Sequence, residues 1–347
     1  MKHRGQLNKT ILITGGAGYI GSFLVRDMLA QDYRVRCLDL LIYGDKSLQE
    51  VIRDSRFELI HGDIRDKKIV RRALKDVDSV IHLAAIVGDS PCQAAPKSAV
   101  EINFKGTRIL AEEACTMGVN RFIFNSTCSN YGIMKSSEDA AEENHEFNPI
   151  SLYAETKIDC EEFLKTLNGD QFCVTVLRFA SGYGISYRTR FDLLINSLAF
   201  EAWTKNEVTL FSADTWRPYV HVADMCLIIR KVLEAPLDKV AGEIFNAGST
   251  IQNYTKRMLI KILQKRMPQL RVRFIDTIDD RRNYKVDFNK LKQKLCFKPT
   301  KTIDDAFEEF LDSFNRGHLT KDDFALNKIE TLESFFKEKE QDLQSLN

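Results

Sequence analysis

The chain has 347 residues, and its 50 Lys+Arg against 49 Asp+Glu leave a formal net charge of +1. That balance excludes a whole-molecule field for nucleic acid or an anionic membrane, and no basic stripe or aromatic platform offers a local substitute. No apolar run reaches the length of a membrane span, and the basic start MKHRGQLNKT has no apolar core behind it, so a cytoplasmic protein without a signal peptide is expected.

In chain order, strands are predicted at 10–14 (TILIT), 33–39 (YRVRCLD), 57–63 (FELIHGD), 79–85 (SVIHLAA), 121–126 (RFIFNS) and 173–179 (CVTVLRF). Segments with apolar residues at helical spacing lie between them, such as 99–119. Strands alternating with helices predict an α/β fold, a doubly wound parallel sheet covered on both faces. Beyond about residue 180 the elements shorten. Helices are expected near 191–204, 222–234, 255–267 and 303–315, with a strand at 271–276 and a strand followed by a turn at 245–249. No repeat or low-complexity linker separates the halves, so the second packs onto the first. From Thr320 the chain is charged; a surface helix with Ile329, Leu332, Phe335 and Phe336 on one side is expected. Eight scattered cysteines without a CxxC pair read as reduced thiols, most of them small core residues, with no metal site.

The stretch TGGAGYIG, residues 14–21, puts Gly15, Gly18 and Gly21 in a turn between the first strand and a helix starting near Tyr19. Glycine there permits a tight bend and close approach of a pyrophosphate to the helix N-terminus. The second strand ends at Asp39, 18 residues after Gly21. Its carboxylate can accept both adenosine ribose hydroxyls and would repel a 2′-phosphate, which favours NAD over NADP. Asp63, closing the third strand, is placed to meet adenine. In SLYAETKIDCEEFL (151–164), Tyr153 and Lys157 stand one helical turn apart, a spacing at which an ammonium can favour a phenolate.

TGGAGYIG, Asp39, HLAA at 82–85, NSTCSNYG at 125–132 and YAETK occur together in one order. With these motifs the chain resembles the extended short-chain dehydrogenase/reductases, the nucleotide-sugar epimerase/dehydratase group, from about residue 10 to 316. The resemblance implies a modified Rossmann domain holding NAD over 8–180, completed by segments near 215–250. It implies a smaller α/β domain, mainly 181–316, for a nucleoside diphosphate sugar, with 317–347 as a tail. Cofactor contacts are expected from Gly15, Gly18, Tyr19, Ile20, Gly21, Asp39, Asp63 and Ile64. Leu83, Ala84, Ala85, Tyr153, Lys157 and Phe179 complete that set. The resemblance also gives catalytic roles: Tyr153 as base, Lys157 as its partner, and Thr127 hydrogen-bonding the sugar hydroxyl while a sugar carbon, usually C4, gives hydride to NAD.

The family's 4,6-dehydratases follow the threonine with Asp and Glu, where this chain has Cys128 and Ser129. Dehydration and decarboxylation are therefore disfavoured, leaving 4-epimerisation or oxidation–reduction at C4 in sugar biosynthesis for surface polysaccharides. AAIVGDSPCQ (84–93) and GYGISYRTRFDLLINSLAFEAW (182–203) look more like a branch of GDP-heptose C4 dehydrogenases than like galactose-type epimerases. A strict UDP-hexose 4-epimerase stays open, as does an NAD-sensing protein without catalysis, though the latter would not need the Tyr/Lys pair. For the substrate, the resemblance maps a diphosphate-binding arginine onto Arg217; Arg190, Arg282 and Ser181 are further candidates. Relatives pair the helices at 99–118 and 152–167 into a four-helix bundle, so a homodimer is expected.

Overall fold

A computed structural model describes residues 9–134, 139–275, 282–325 and 334–336. Its main sheet contains β1 (Thr10–Thr14), β2 (Arg34–Asp39), β3 (Phe57–His61), β4 (Ser79–His82), β5 (Arg121–Thr127), β6 (Cys173–Phe179) and β7 (Ile244–Ala247). All pairings are parallel, in the order β7-β6-β5-β4-β1-β2-β3. The strand order reverses between β1 and β4, which opens a crevice at their carboxyl ends, where ligands of such sheets bind.

Successive side chains feed opposite faces, as the two-residue strand period requires. Ile11 and Ile13 of β1 pack on one face with Leu24, Val25 and Met28 of the helix Tyr19–Ala30 and Ile228, Ile229 and Val232 of the helix Val222–Glu234. Leu12, with Phe122 and Phe124 of β5, faces Val70 of Lys67–Leu74, Leu110 and Ala114 of Thr107–Thr116, and Cys160 and Leu164 of Leu152–Leu167. Burial on both faces explains why β6 is buried along its whole length. β3 and β4 stop earlier than expected, because the residues after His61 and His82 leave the sheet to line the crevice.

The smaller lobe joins the strands Ser181–Tyr183, Trp216–His221 and Asn253–Thr255, and pairs Glu207–Phe211 with Arg271–Ile275. Its core is aromatic: Phe191, Phe200, Phe310 and Phe314 pack among the helices Leu194–Lys205, Lys256–Arg266 and Ile303–Asn315, with Trp203 stacked 4.7 Å from Phe314.

One helix also differs from expectation. The helix expected over 99–119 is a short turn at Pro96–Ala99, a π-helical stretch at Val100–Gly106 and an α-helix at Thr107–Thr116. The wide turn frees the Asn103 carbonyl to accept from Thr107 Oγ1 and Cys160 Sγ. The Asn103 amide then clamps the chain after β4, accepting from Ile86 N at 2.8 Å and donating to Ile86 O at 3.0 Å. In the tail, Phe336 is buried in the same apolar cluster as Leu110 and Leu164 and Phe335 packs against that cluster, as the apolar side of the expected surface helix. Ile329 and Leu332 lie outside the described residues.

Candidate active site

A cleft of about 600 Å³ runs across the carboxyl ends of β1, β2, β4 and β5 and under the smaller lobe. One end is built from the glycine turn. Gly15 has φ +74°, and a Cβ there would lie 2.8 Å from Ala84 N; a Cβ on Gly21 would lie 2.2 Å from Gly15 O. Any side chain at these positions would push the turn away from β4 or the helix away from the turn. Gly18 caps the helix beginning at Tyr19, whose first turn holds no acidic residue, so its N–H groups and positive dipole end remain available to an anion. Ile20, Leu83 and Ala85 line the same end.

Asp39 closes it. Its Oδ2 accepts from Ala17 N at 2.9 Å and its Oδ1 from Leu41 N at 2.8 Å, tying the glycine turn to the chain after β2. Burial raises its pKa against the lowering by those two N–H groups and by Arg188. Asp63 also borders the cleft, held by Arg65 at 2.6 Å, beside Ile64. A cradle kept clear of side chains, a helix N-terminus and a carboxylate at the end of β2 fit an adenine dinucleotide.

Thr127, Tyr153 and Lys157 are buried and do not themselves border the cleft, whereas Asn125 and Ser129 on either side of Thr127 do. Ser151 Oγ accepts from Ala154 N at 3.3 Å and starts the helix that carries Tyr153 and Lys157 on one face. Lys157 Nζ donates to Asn125 O at 2.7 Å and sits 6.0 Å from the Tyr153 ring centre. Burial brings the Lys157 ammonium down to about 8. The Tyr153 phenol departs from the simple Tyr/Lys expectation. Burial raises its pKa, Cys92 and Asp89 add to this, and Arg190 is the cation that opposes it. At the end of β5, Thr127 Oγ1 accepts from Ser129 N at 3.0 Å, so its hydroxyl proton remains available to donate. Phe179 is the β6 neighbour of Thr127 and, buried there, supports it without bordering the cleft.

The strand end is fixed from behind. Arg178 grips Glu161 at 2.6 Å, and Glu161 accepts from Ser126 Oγ and, at 2.9 Å, from Asn130 Nδ2. Cys128 points into this packing, its Sγ toward Arg178 O at 3.1 Å, and burial pushes its thiol well up. Ser129, by contrast, faces the cleft.

Ser181, Arg190, Arg217 and Arg282 line the far end. Arg190 pairs with Asp192 and Arg282 with Asp89, the latter at 2.6 Å; Arg217 Nη1 donates to Tyr284 Oη at 3.3 Å. His221 organises the neighbouring turn, its Nδ1 accepting from Ala223 N at 3.2 Å. Sequence reasoning missed Asn125, Asp89, Tyr219 and Arg188 as cleft residues. Arg188 could have been noticed in YRTRFD, where two arginines alternate two positions apart.

The model of the NAD dependent epimerase/dehydratase family matches residues 11–248. The chain belongs to this family. A dTDP-glucose 4,6-dehydratase of Actinoplanes sp. is 28% identical over 316 residues, covering 86% of this chain and 95% of that protein. A UDP-glucose 4-epimerase of Bacillus subtilis is 27% identical, over 74% of this chain and 81% of that one. Among solved structures, a dTDP-glucose 4,6-dehydratase from Streptomyces venezuelae with NAD bound superposes with a TM-score of 0.78 at 28% identity, covering 90% of this chain and 99% of the other. A UDP-glucose 4-epimerase from Thermotoga maritima with UDP-glucose gives a TM-score of 0.78 at 25% identity, over 89% and 100%. The epimerase/dehydratase relatives thus divide between two reactions, and the residues beside Thr127 bear on that choice. No helix among the described residues is long and apolar enough to cross a membrane.

Proposed function

We propose that the protein is an NAD-dependent nucleotide-sugar epimerase or C4 dehydrogenase that oxidises a sugar carbinol without eliminating water. Tyr153 takes the hydroxyl proton, Thr127 donates to the same oxygen and fixes its lone pairs, and Lys157 holds charge beneath them. NAD, held by the glycine turn, Asp39 and the residues after β4, would supply the hydride acceptor. Arg217 suits the substrate diphosphate because a planar guanidinium offers two parallel donors.

The observation that carries the choice is Cys128. An elimination needs an acid beside the threonine, and here that side chain is buried against Arg178 O with its proton tightly held. Ser129 is too weak an acid to replace it, and the cleft carboxylates Asp89 and Asp192 are paired with arginines. This favours hydride and proton transfer alone, in contrast to the dehydratase relatives. GDP-linked heptoses, in surface-polysaccharide sugar biosynthesis, are the substrate class that the sequence of the cleft segments suggests.

The test is incubation with UDP-, GDP-, CDP- and dTDP-sugars, following nicotinamide absorbance and the sugar products by NMR. An epimer without net NADH identifies an epimerase, and a 4-ketosugar with stoichiometric NADH a dehydrogenase. A 4-keto-6-deoxy product, or no turnover on the panel, would overturn the reading.

A further inference from the structure

The cleft arginines differ in what they hold. Arg190 has Asp192, Arg282 has Asp89, and Arg217 has Tyr284. Arg188 has none of these: its Cζ lies 3.7 Å from the centre of the Tyr43 ring, and its guanidinium makes no hydrogen bond or ion pair among the described residues. A guanidinium flat on a ring keeps its N–H edge free, since stacking occupies the face and leaves the donors in the plane. Arg188 is half-buried and lines the cleft, so its in-plane donors, partly stripped of water, border the ligand space.

Its place in the cleft identifies the ligand's chemistry. Tyr43 and Gly44 follow β2 and border the cofactor end with Asp39, and Arg188 is near enough to Asp39 to favour its ionised form. Arg188 reaches this end from the smaller lobe, on a strap fastened to the first helix. Tyr19 Oη donates to Gly184 O at 2.9 Å, Ser186 Oγ donates to Tyr19 O at 2.6 Å, and Arg26 Cζ lies 3.4 Å from the Tyr187 ring centre. The strap is thus registered on the same helix whose N-terminus faces the glycine turn.

We infer that Arg188 is a phosphate-binding residue of the cofactor end, donating to the adenosine-side phosphate of the dinucleotide. This rests on the reading of that end as a dinucleotide site. The ribose held at Asp39 would place its 5′-phosphate as the nearest anion, and the helix N-terminus and Arg188 would grip it from opposite lobes. Part of the substrate lobe therefore closes the cofactor in, and Arg188 slows its release.

The experiment is calorimetric titration of the full chain with NAD, ADP, NADP, UDP and GDP, in the wild type, Arg188→Met and Arg188→Lys. Methionine keeps an unbranched side chain able to pack on Tyr43 while removing charge and donors. Arg188→Met is expected to weaken NAD and ADP roughly tenfold to a hundredfold, the scale of a charge-assisted hydrogen bond. UDP and GDP should change less than about twofold, and Arg188→Lys, which keeps the charge but not the fork, should fall between. Unchanged NAD and ADP affinity in Arg188→Met would overturn the inference while leaving the dinucleotide site standing. A loss confined to UDP or GDP would assign the phosphate to the sugar nucleotide, and one confined to NADP would assign it to the ribose 2′ position; either overturns it. Should Arg188→Met not fold, Arg188→Lys decides, since it too must weaken NAD and ADP. A wild type that binds neither NAD nor ADP would instead remove the reading of the site on which the inference stands.

Discussion

Tyr153 is asked to be a base in a setting that by itself holds its proton on, because burial raises the phenol and Asp89 adds to this. Arg190 works in the other direction, and removing a cation that favours the phenolate must move its ionisation to higher pH. For Arg190→Met, the rise of single-turnover NADH formation with pH should therefore shift to more alkaline pH; an unshifted profile would rule out Arg190 as the tuning charge. Tyr153→Phe should leave NAD binding and folding intact and lower turnover ~10²-fold or more, the scale of lost general-base help. A Tyr153→Phe enzyme that reduces NAD at the wild-type rate would show that the base lies elsewhere. Thr127→Val, with similar volume, should mainly lower turnover. Asp39→Ala should lose the tie between the glycine turn and the chain after β2 as well as the group that excludes a 2′-phosphate, because its two oxygens accept from Ala17 N and Leu41 N. NAD should bind more weakly and NADP relatively better, measured by titration; equal wild-type affinities for the two cofactors would defeat the assignment.

At the level of elements, the Rossmann strands were legible because apolar alternation and glycine position are local signals. β1, β6 and the helices at 152–167, 222–234 and 303–315 begin and end where their patterns do. The π-helical stretch at 100–106 was not legible, since its cause is the contact of Asn103 with Ile86 and of its carbonyl with Cys160. Long-range contacts of this kind leave no periodicity. For the same reason the sequence gives no hint of how β5 is braced. Arg178 and Glu161, from β6 and the helix at 152–167, are 2% and 0% exposed in their side chains, so the pair is a fully desolvated bridge between the two elements that flank Thr127. Removing one charge of such a pair strands the other and costs about 3–5 kcal/mol. Glu161→Gln should accordingly lower unfolding stability by ~3 kcal/mol in denaturant titration, and slow turnover by loosening the 126–130 turn. A change below about 1 kcal/mol would mean that the amide replaces the carboxylate and the charge pair is not the brace.

For the whole molecule, the question is what covers the outer side of the helices at 107–116 and 152–167. Phe104, Ile109, Phe163 and Leu167 are only partly buried there, and the Arg108 guanidinium lies 4.9 Å from the Phe163 ring centre and 5.9 Å from that of Phe104. A row of half-covered aromatic rings bridged by arginine has the composition of an interface core, in which aromatics and Arg are enriched. Two adjacent helices can meet their own copies about a two-fold axis, since the same patch is then complementary to itself. Phe336 belongs to the same apolar cluster. We propose that the protein is a homodimer through these helices. Phe163→Asp would place two carboxylates near the axis with no water to solvate them. The wild type should sediment as a dimer at micromolar concentration, and Phe163→Asp as a folded monomer with its far-ultraviolet circular dichroism unchanged. A wild type that remains monomeric at that concentration removes the dimer. A Phe163→Asp variant that stays dimeric moves the interface to another face, because a buried like-charge pair there could not be tolerated.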